Sequence, residues 1–129
     1  MPYLYPNAAA LDQTDLVGSH QCVALVQHYT NAPSTGAWHE GAVVRGNLGL
    51  AQGVAIATFV NGAYPNLSHG NHAAIYLSQD ASGIWVVDQW KGDPNKPKVS
   101  KRYIPFRGRW KDGTFANPSN NGDAFYVIE

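Results

Sequence analysis

Ser19-His20-Gln21-Cys22-Val23-Ala24-Leu25-Val26 and, fifty residues on, His72-Ala73-Ala74-Ile75-Tyr76-Leu77 decide how this chain reads. The first stretch passes from polar to apolar. Ser19 belongs to the residue types that cap helices, so a helix is predicted from about His20 to Tyr29. Val23, Val26 and Gln27 recur at i, i+3 and i+4, and Ala24, Leu25 and His28 fill the adjacent stripe. Such a helix is apolar around most of its circumference, which suits a central helix covered by a sheet. Asn31, Pro33 and Gly36 stop it. The second stretch is apolar and β-prone, and reads as a strand. A thiol at a helix N-terminus meets unpaired backbone N–H groups and the positive end of the helix dipole, both of which favour the thiolate. An imidazole on a neighbouring strand completes a nucleophile–base pair.

Working outward, Gly53–Phe59 is a strand followed by the turn signal Asn61-Gly62. His72–Ser78 and Ile84–Trp90 form a hairpin about Gln79-Asp80-Ala81-Ser82-Gly83, and Val99–Phe106 and Ala124–Glu129 are further strands. Residues 1–18 read as an extended lead-in with a turn near Pro6-Asn7. Trp38–Gly53, rich in glycine, reads as loop with a short helix around Asn47–Ala51. A catalytic helix followed by five antiparallel strands is an α+β domain, one unit over residues 1–129.

Composition narrows the function. Nine basic residues balance nine acidic ones, which argues against a broad surface for nucleic acid or insertion at an anionic membrane. The bases thicken late in the chain (Lys96, Lys98, Lys101, Arg102, Arg107, Arg109, Lys111), a pattern that reads first as a solvated strand face. One cysteine cannot form an intramolecular disulfide, so the fold needs no oxidising compartment. No apolar run approaches the roughly 18–20 residues of a membrane span. Met1-Pro2-Tyr3-Leu4-Tyr5-Pro6 has neither the basic nor the apolar region of a secretory signal.

The hairpin register supplies a third residue. If Ser78 pairs with Ile84, Ala74 faces Asp88, and Asp88 shares a face with His72 on the diagonal. A carboxylate there fixes the imidazole tautomer and stabilises imidazolium. A slip of one residue puts Gln89 there instead. Asp88 is the telling residue, because it sits among Ile84, Trp85, Val86, Val87 and Trp90, and carboxylates are seldom buried unpartnered. The plain alternatives are a buried, inert Cys22 and a half-exposed turn histidine at His72. His20, His28 and His39 have no such partner. His69 and His72 form an H-x-x-H pair without a third ligand at metal-binding spacing, and no nucleotide motif occurs, so neither metal nor cofactor is expected.

Helix-borne Cys, strand-borne His and a polar residue on the next strand is the order of the NlpC/P60 and CHAP branch of papain-like peptidases. Four stretches narrow the likeness: Gly18–Val26, Gly53–Phe59, Gly70–Leu77 and Ile84–Trp90. They resemble the BPSL0067-type family of small bacterial proteins, itself similar to the type VI secretion amidase effectors, the third effector family. The resemblance runs from about Tyr3 to Glu129. It implies a peptidoglycan amidase or endopeptidase that cuts cell-wall peptide stems, for the third family at the D-alanyl–meso-diaminopimelate cross-link. It also implies synthesis in a donor cytoplasm, delivery by the type VI machinery into a rival's periplasm, and a cognate immunity protein. Cys22 matches the nucleophile and His72 the base, with Asp88 as third residue. The position where papain carries an oxyanion glutamine, six residues before the nucleophile, is Leu16, which leaves the second oxyanion donor unassigned. Two other readings stay open: a non-catalytic binding module using Trp38, Tyr64, Trp85, Trp90 and Trp110 as an aromatic surface, and a thiol acyltransferase of the same fold.

Overall fold

The computed structural model describes residues 2–129; Met1, the first residue of the stretch read for an export signal, lies outside the described residues. Among these residues the chain forms one α-helix, α1 (Cys22–Thr30), and six strands: β1 (Glu40–Val43), β2 (Ala55–Thr58), β3 (Ala73–Gln79), β4 (Gly83–Asp88), β5 (Ser100–Pro105) and β6 (Phe125–Ile128). They make one antiparallel sheet in the order β1-β6-β2-β3-β4-β5. The α+β class is as predicted, but the sheet has six strands rather than five. The extra one, β1, lies in the span read as loop. It is short, largely exposed and pairs only with β6 through an irregular register, so it carries no alternating apolar signal. Gly41 within it is required by close approach, since an added Cβ would lie 2.7 Å from the Val127 carbonyl oxygen. The helix expected at Asn47–Ala51 does not form; Asn47 and Leu50 close successive turns onto Val44 and Asn47 instead.

The sheet buries both faces. Ala55, Ala57, Ala73, Ile75 and Val87 pack on one side with Leu25 and Val26 of α1. Ile56, Ala74, Tyr76, Ile84, Val86, Ile104 and Phe125 pack on the other. Removing this apolar surface from water is the main drive for the fold. The helix lies on one face and is not central as expected: His28 is exposed, and only Leu25, Val26 and Thr30 are fully covered. It also begins two residues later than predicted. His20 takes a left-handed φ of 69°, which turns the chain sharply, so Gln21 occupies the cap position and no side chain caps the helix.

The β3–β4 ladder runs Ile75↔Val87 and Tyr76↔Val86, the expected register, and then shifts at a bulge to Ser78↔Trp85 and Gln79↔Ile84. The predicted Ser78–Ile84 pair is therefore wrong by one residue, because Leu77 is the extra residue of a bulge and bulges leave no reliable mark in sequence. The error is confined to the turn end. Toward Asp88 the face assignment holds.

Candidate active site

Each reactive side chain is placed by backbone. Cys22 is the first residue of α1, where its own N–H has no helical acceptor. The missing cap thus leaves free the donors that a thiolate or an oxyanion can use. His72 sits immediately before β3, tied to β2 on both sides: its N–H donates to Thr58 Oγ1 (3.0 Å), and its carbonyl accepts from the Thr58 N–H (3.0 Å). Asp88 ends β4 and is fully buried.

His72 Nε2 and Asp88 Oδ2 are 2.8 Å apart. The carboxylate accepts from Nε2–H, which leaves Nδ1 as the nitrogen for Cys22. Burial pushes the Cys22 thiol up, but the hydrogen bond and positive charge of His72, then the Ala73 N–H and the Tyr64 hydroxyl, outweigh it and hold the thiol below its ordinary value. Burial likewise pulls His72 down, yet hydrogen bonds and charge from Asp88 and Cys22 raise it to about 9. Both shifts favour the ion pair of thiolate and imidazolium over the neutral pair. For Asp88 burial is again the largest influence and again loses: His72, Arg102 and Lys96 hold its carboxyl well below the usual carboxylate range.

Two of those partners belong to the basic run that, by sequence, reads as a solvated strand face, and the structure corrects this. Arg102 Nε donates to Asp88 Oδ2 at 2.8 Å. Lys96, only 8% exposed, brings Nζ to 2.9 Å from Oδ1 as an ion pair whose angles fall outside hydrogen bonding. Both cations lie over the Trp90 ring, at 4.8 Å for Lys96 Nζ and 5.1 Å for Arg102 Cζ. Only tertiary folding reveals this, since a Lys or Arg near a turn carries no sequence mark of pointing inward.

Gln89, the alternative third residue, has another task. Alternation along the strand turns it away from Asp88. Fully buried, it accepts from the Val17 N–H (3.0 Å) and donates to the Val17 carbonyl (3.1 Å) and the Gln21 carbonyl (2.8 Å). The end of β4 thus holds both halves of the pair: Asp88 the imidazole, Gln89 the segment that leads into Cys22.

By sequence, Tyr64 stands out only as one of the aromatic residues of a possible binding surface. Its hydroxyl instead lies 3.8 Å from Cys22 Sγ, with its ring packed on the buried Trp38. Burial, then the charge and hydrogen bond of Cys22, push its pKa up from the ordinary phenol value, so it stays a protonated donor. The five residues of the aromatic-surface reading form no single surface: Trp38 is buried, Tyr64 and Trp90 line the cleft beside Cys22, and Trp85 and Trp110 are exposed outside it. His69, His20, His28 and His39 are exposed. Among the described residues no cluster of three or more His, Cys, Asp or Glu can hold a metal ion. Cys22, His72, Tyr64, Trp90 and Arg102 line a cleft of about 570 Å³, large enough for a short peptide segment.

Sequence and fold both place the chain among known proteins. The sequence profile of a family described as domesticated amidase effector 2 matches residues 6–128. A type VI secretion amidase effector 2 protein from Salmonella typhi is 53% identical over the whole of both chains. A domesticated amidase effector 2 from Ixodes scapularis is 38% identical across 88% of this chain and 73% of its own length. Among solved structures, a type 6 secretion amidase effector 2 superposes with a TM-score of 0.93 at 51% identity, covering all of this chain and 95% of the other. The kinship with amidase effectors is as the motifs imply. The relatives carry the number two where the resemblance pointed to three.

Proposed function

The chain belongs to the amidase effector 2 family, and on that footing we propose that it is a cysteine amidase of the NlpC/P60 papain-like class, delivered by type VI secretion, that cuts peptide stems or cross-links of bacterial peptidoglycan. One observation carries the reading: an imidazole hydrogen-bonded to a buried carboxylate on one side and partnered with a helix-terminal thiol on the other, at the wall of an open cleft.

The mechanism follows from the charges. The Cys22 thiolate attacks the scissile carbonyl carbon, and the carbonyl oxygen takes the negative charge. The Cys22 N–H and the Tyr64 hydroxyl, which lies 3.8 Å from the sulfur, are assigned as its donors and together make the oxyanion hole. Imidazolium at His72 gives its proton to the leaving amine as the C–N bond breaks, which leaves a thioester on Cys22 and a neutral ring. His72 then takes a proton from water; the hydroxide adds to the thioester, and the thiolate departs with the ring again protonated. Asp88 accepts from the ring throughout and keeps its charge.

The bond favoured is the D-alanyl–meso-diaminopimelate cross-link, with the rival cell's periplasm as the site of action and an immunity protein closing the cleft in the producer. Incubating the protein with purified sacculi and weighing the released muropeptides tests the whole. Monomeric stems appearing from dimers, and lost in Cys22→Ala, support it. Unchanged sacculi, undiminished release by Cys22→Ala, or products joined to an added amine in place of water, as an acyltransferase would give, each overturn it.

A further inference from the structure

The floor of the cleft carries a surplus positive charge. Cys22 and Asp88 supply two negative charges in the ion-pair state; His72, Lys96 and Arg102 supply three positive ones. If the thiol and the ring are neutral, the balance is still one against two. Among the described residues lining the cleft there is no carboxylate. Lys96 is turned inward, held between Asp88 Oδ1 and Ser100. Arg102 is the cation that reaches the cleft: its side chain is 21% exposed and lines the wall. Its plane is set by three contacts, Nε to Asp88 Oδ2 (2.8 Å), Nη1 to Asn120 Oδ1 (2.8 Å) and the Trp90 ring. A guanidinium has five N–H donors. Two are committed here, and the other three have no protein partner among the described residues.

We propose that Arg102 is a specificity-determining residue: its guanidinium binds the free carboxylate that flanks the scissile amide in the substrate. This rests on the amidase reading above and narrows it. Stem peptides carry such carboxylates, notably on the residue whose amine enters the cross-link. A rigid fork with donors to spare, in the half-desolvated wall of the cleft that also holds the thiol, is built for an anion of that shape. A site that satisfies buried donors with a substrate group discriminates against the analogue lacking it far more strongly than an apolar pocket does. Asp88 then has two tasks, orienting His72 with one hydrogen bond and Arg102 with the other, so substrate charge and catalytic base are registered through one carboxylate.

The test uses cross-linked muropeptide dimers that differ only in whether the carboxyl beside the scissile amide is free or amidated. The expected wild-type preference for the free form is about 10² in kcat/KM, the fold-change of one charge-assisted pair at a guanidinium still partly open to water. Arg102→Gln brings the ratio near one, whatever happens to the absolute rate. Asn120→Ala, which releases Nη1 without touching Asp88, lowers the ratio mainly through KM and leaves the pH profile of kcat in place; it serves if Arg102→Gln does not fold. Equal cleavage of both dimers by the wild type, or a preference that survives Arg102→Gln, overturns the carboxylate subsite while the amidase reading stands. Cleavage of neither dimer overturns the amidase reading and the subsite with it.

Discussion

Replacing Asp88 with Asn tests the site at its charge centre. Asp88 is fully buried against Lys96 Nζ at 2.9 Å, Arg102 Nε at 2.8 Å and His72 Nε2 at 2.8 Å. An amide has almost the same shape but no charge, and one of its two heavy atoms is a donor facing donors. Removing one partner of a buried ion pair leaves the other uncompensated, at about 3–5 kcal/mol. That is a large share of the roughly 5–15 kcal/mol that holds a small domain folded. The same substitution acts on His72. Its rise from 6.5 to about 9 corresponds to about 3 kcal/mol in favour of imidazolium, and Asp88 is its leading favourable cause. Without Asp88, burial and two nearby cations push the ring toward neutrality, and the thiolate loses its counter-ion. Urea unfolding at pH 6 reads the first effect, and the pH dependence of iodoacetamide alkylation of Cys22 reads the second. Asp88→Asn should lose about 3 kcal/mol or more and move the alkylation profile toward that of an ordinary thiol, near 8.5. Adding Lys96→Met should restore part of the stability, because one stranded cation is gone. A loss below about 1 kcal/mol, the value of an exposed pair, together with an unmoved alkylation profile, would refute the reasoning.

Three further outcomes follow from the same geometry. Gln89→Leu leaves the Val17 amide and two carbonyls short of partners, and should lower stability by about 2–4 kcal/mol and kcat by about tenfold or more through a loosened Cys22; the His72 titration followed by NMR should stay put, and its movement would mean that Gln89 orients the ring after all. Tyr64→Phe should lower kcat by about 10² with KM little changed, and an unaltered kcat would remove Tyr64 from the oxyanion hole. His72, raised from 6.5 to about 9, adds stability that is complete below 6.5 and fades as pH climbs through about 9; Asp88, depressed from 3.8, adds stability that is complete above 3.8 and is lost as pH falls through its lowered value. Thermal unfolding should thus peak between about pH 4 and 6.5, and a maximum at pH 9 would contradict the His72 assignment.

Much of the site was legible from residue order because strand alternation is a strict period. Once His72 and Asp88 lie on paired strands with two residues to a repeat, their shared face follows. The bulge at Leu77 displaced the pairing only at the turn end, so the inference survived an error that would have destroyed it four residues earlier. The helix cap failed for a different reason. Ser19 is a good capping residue in isolation, but the left-handed turn at His20 and the grip of Gln89 on Val17 and Gln21 determine where α1 begins. Both are long-range or strained features that local propensity does not contain. Strand β1 escaped notice because an exposed edge strand needs no apolar alternation: its backbone bonds to β6 suffice.

By itself the amino-acid order determined the α+β class, the cysteine at a helix start, the histidine at a strand start and the acid one hairpin away, because each rests on periodicity or on the rarity of a buried carboxylate. Only the tertiary structure decided that Lys96 and Arg102 turn inward onto Asp88, that Tyr64 meets the sulfur, and that Gln89 grips the segment leading into Cys22. Long, flexible or amphipathic side chains take their direction from what surrounds them. That surrounding comes from chain segments far apart in sequence, as Val17 and Gln89, 72 positions apart, show.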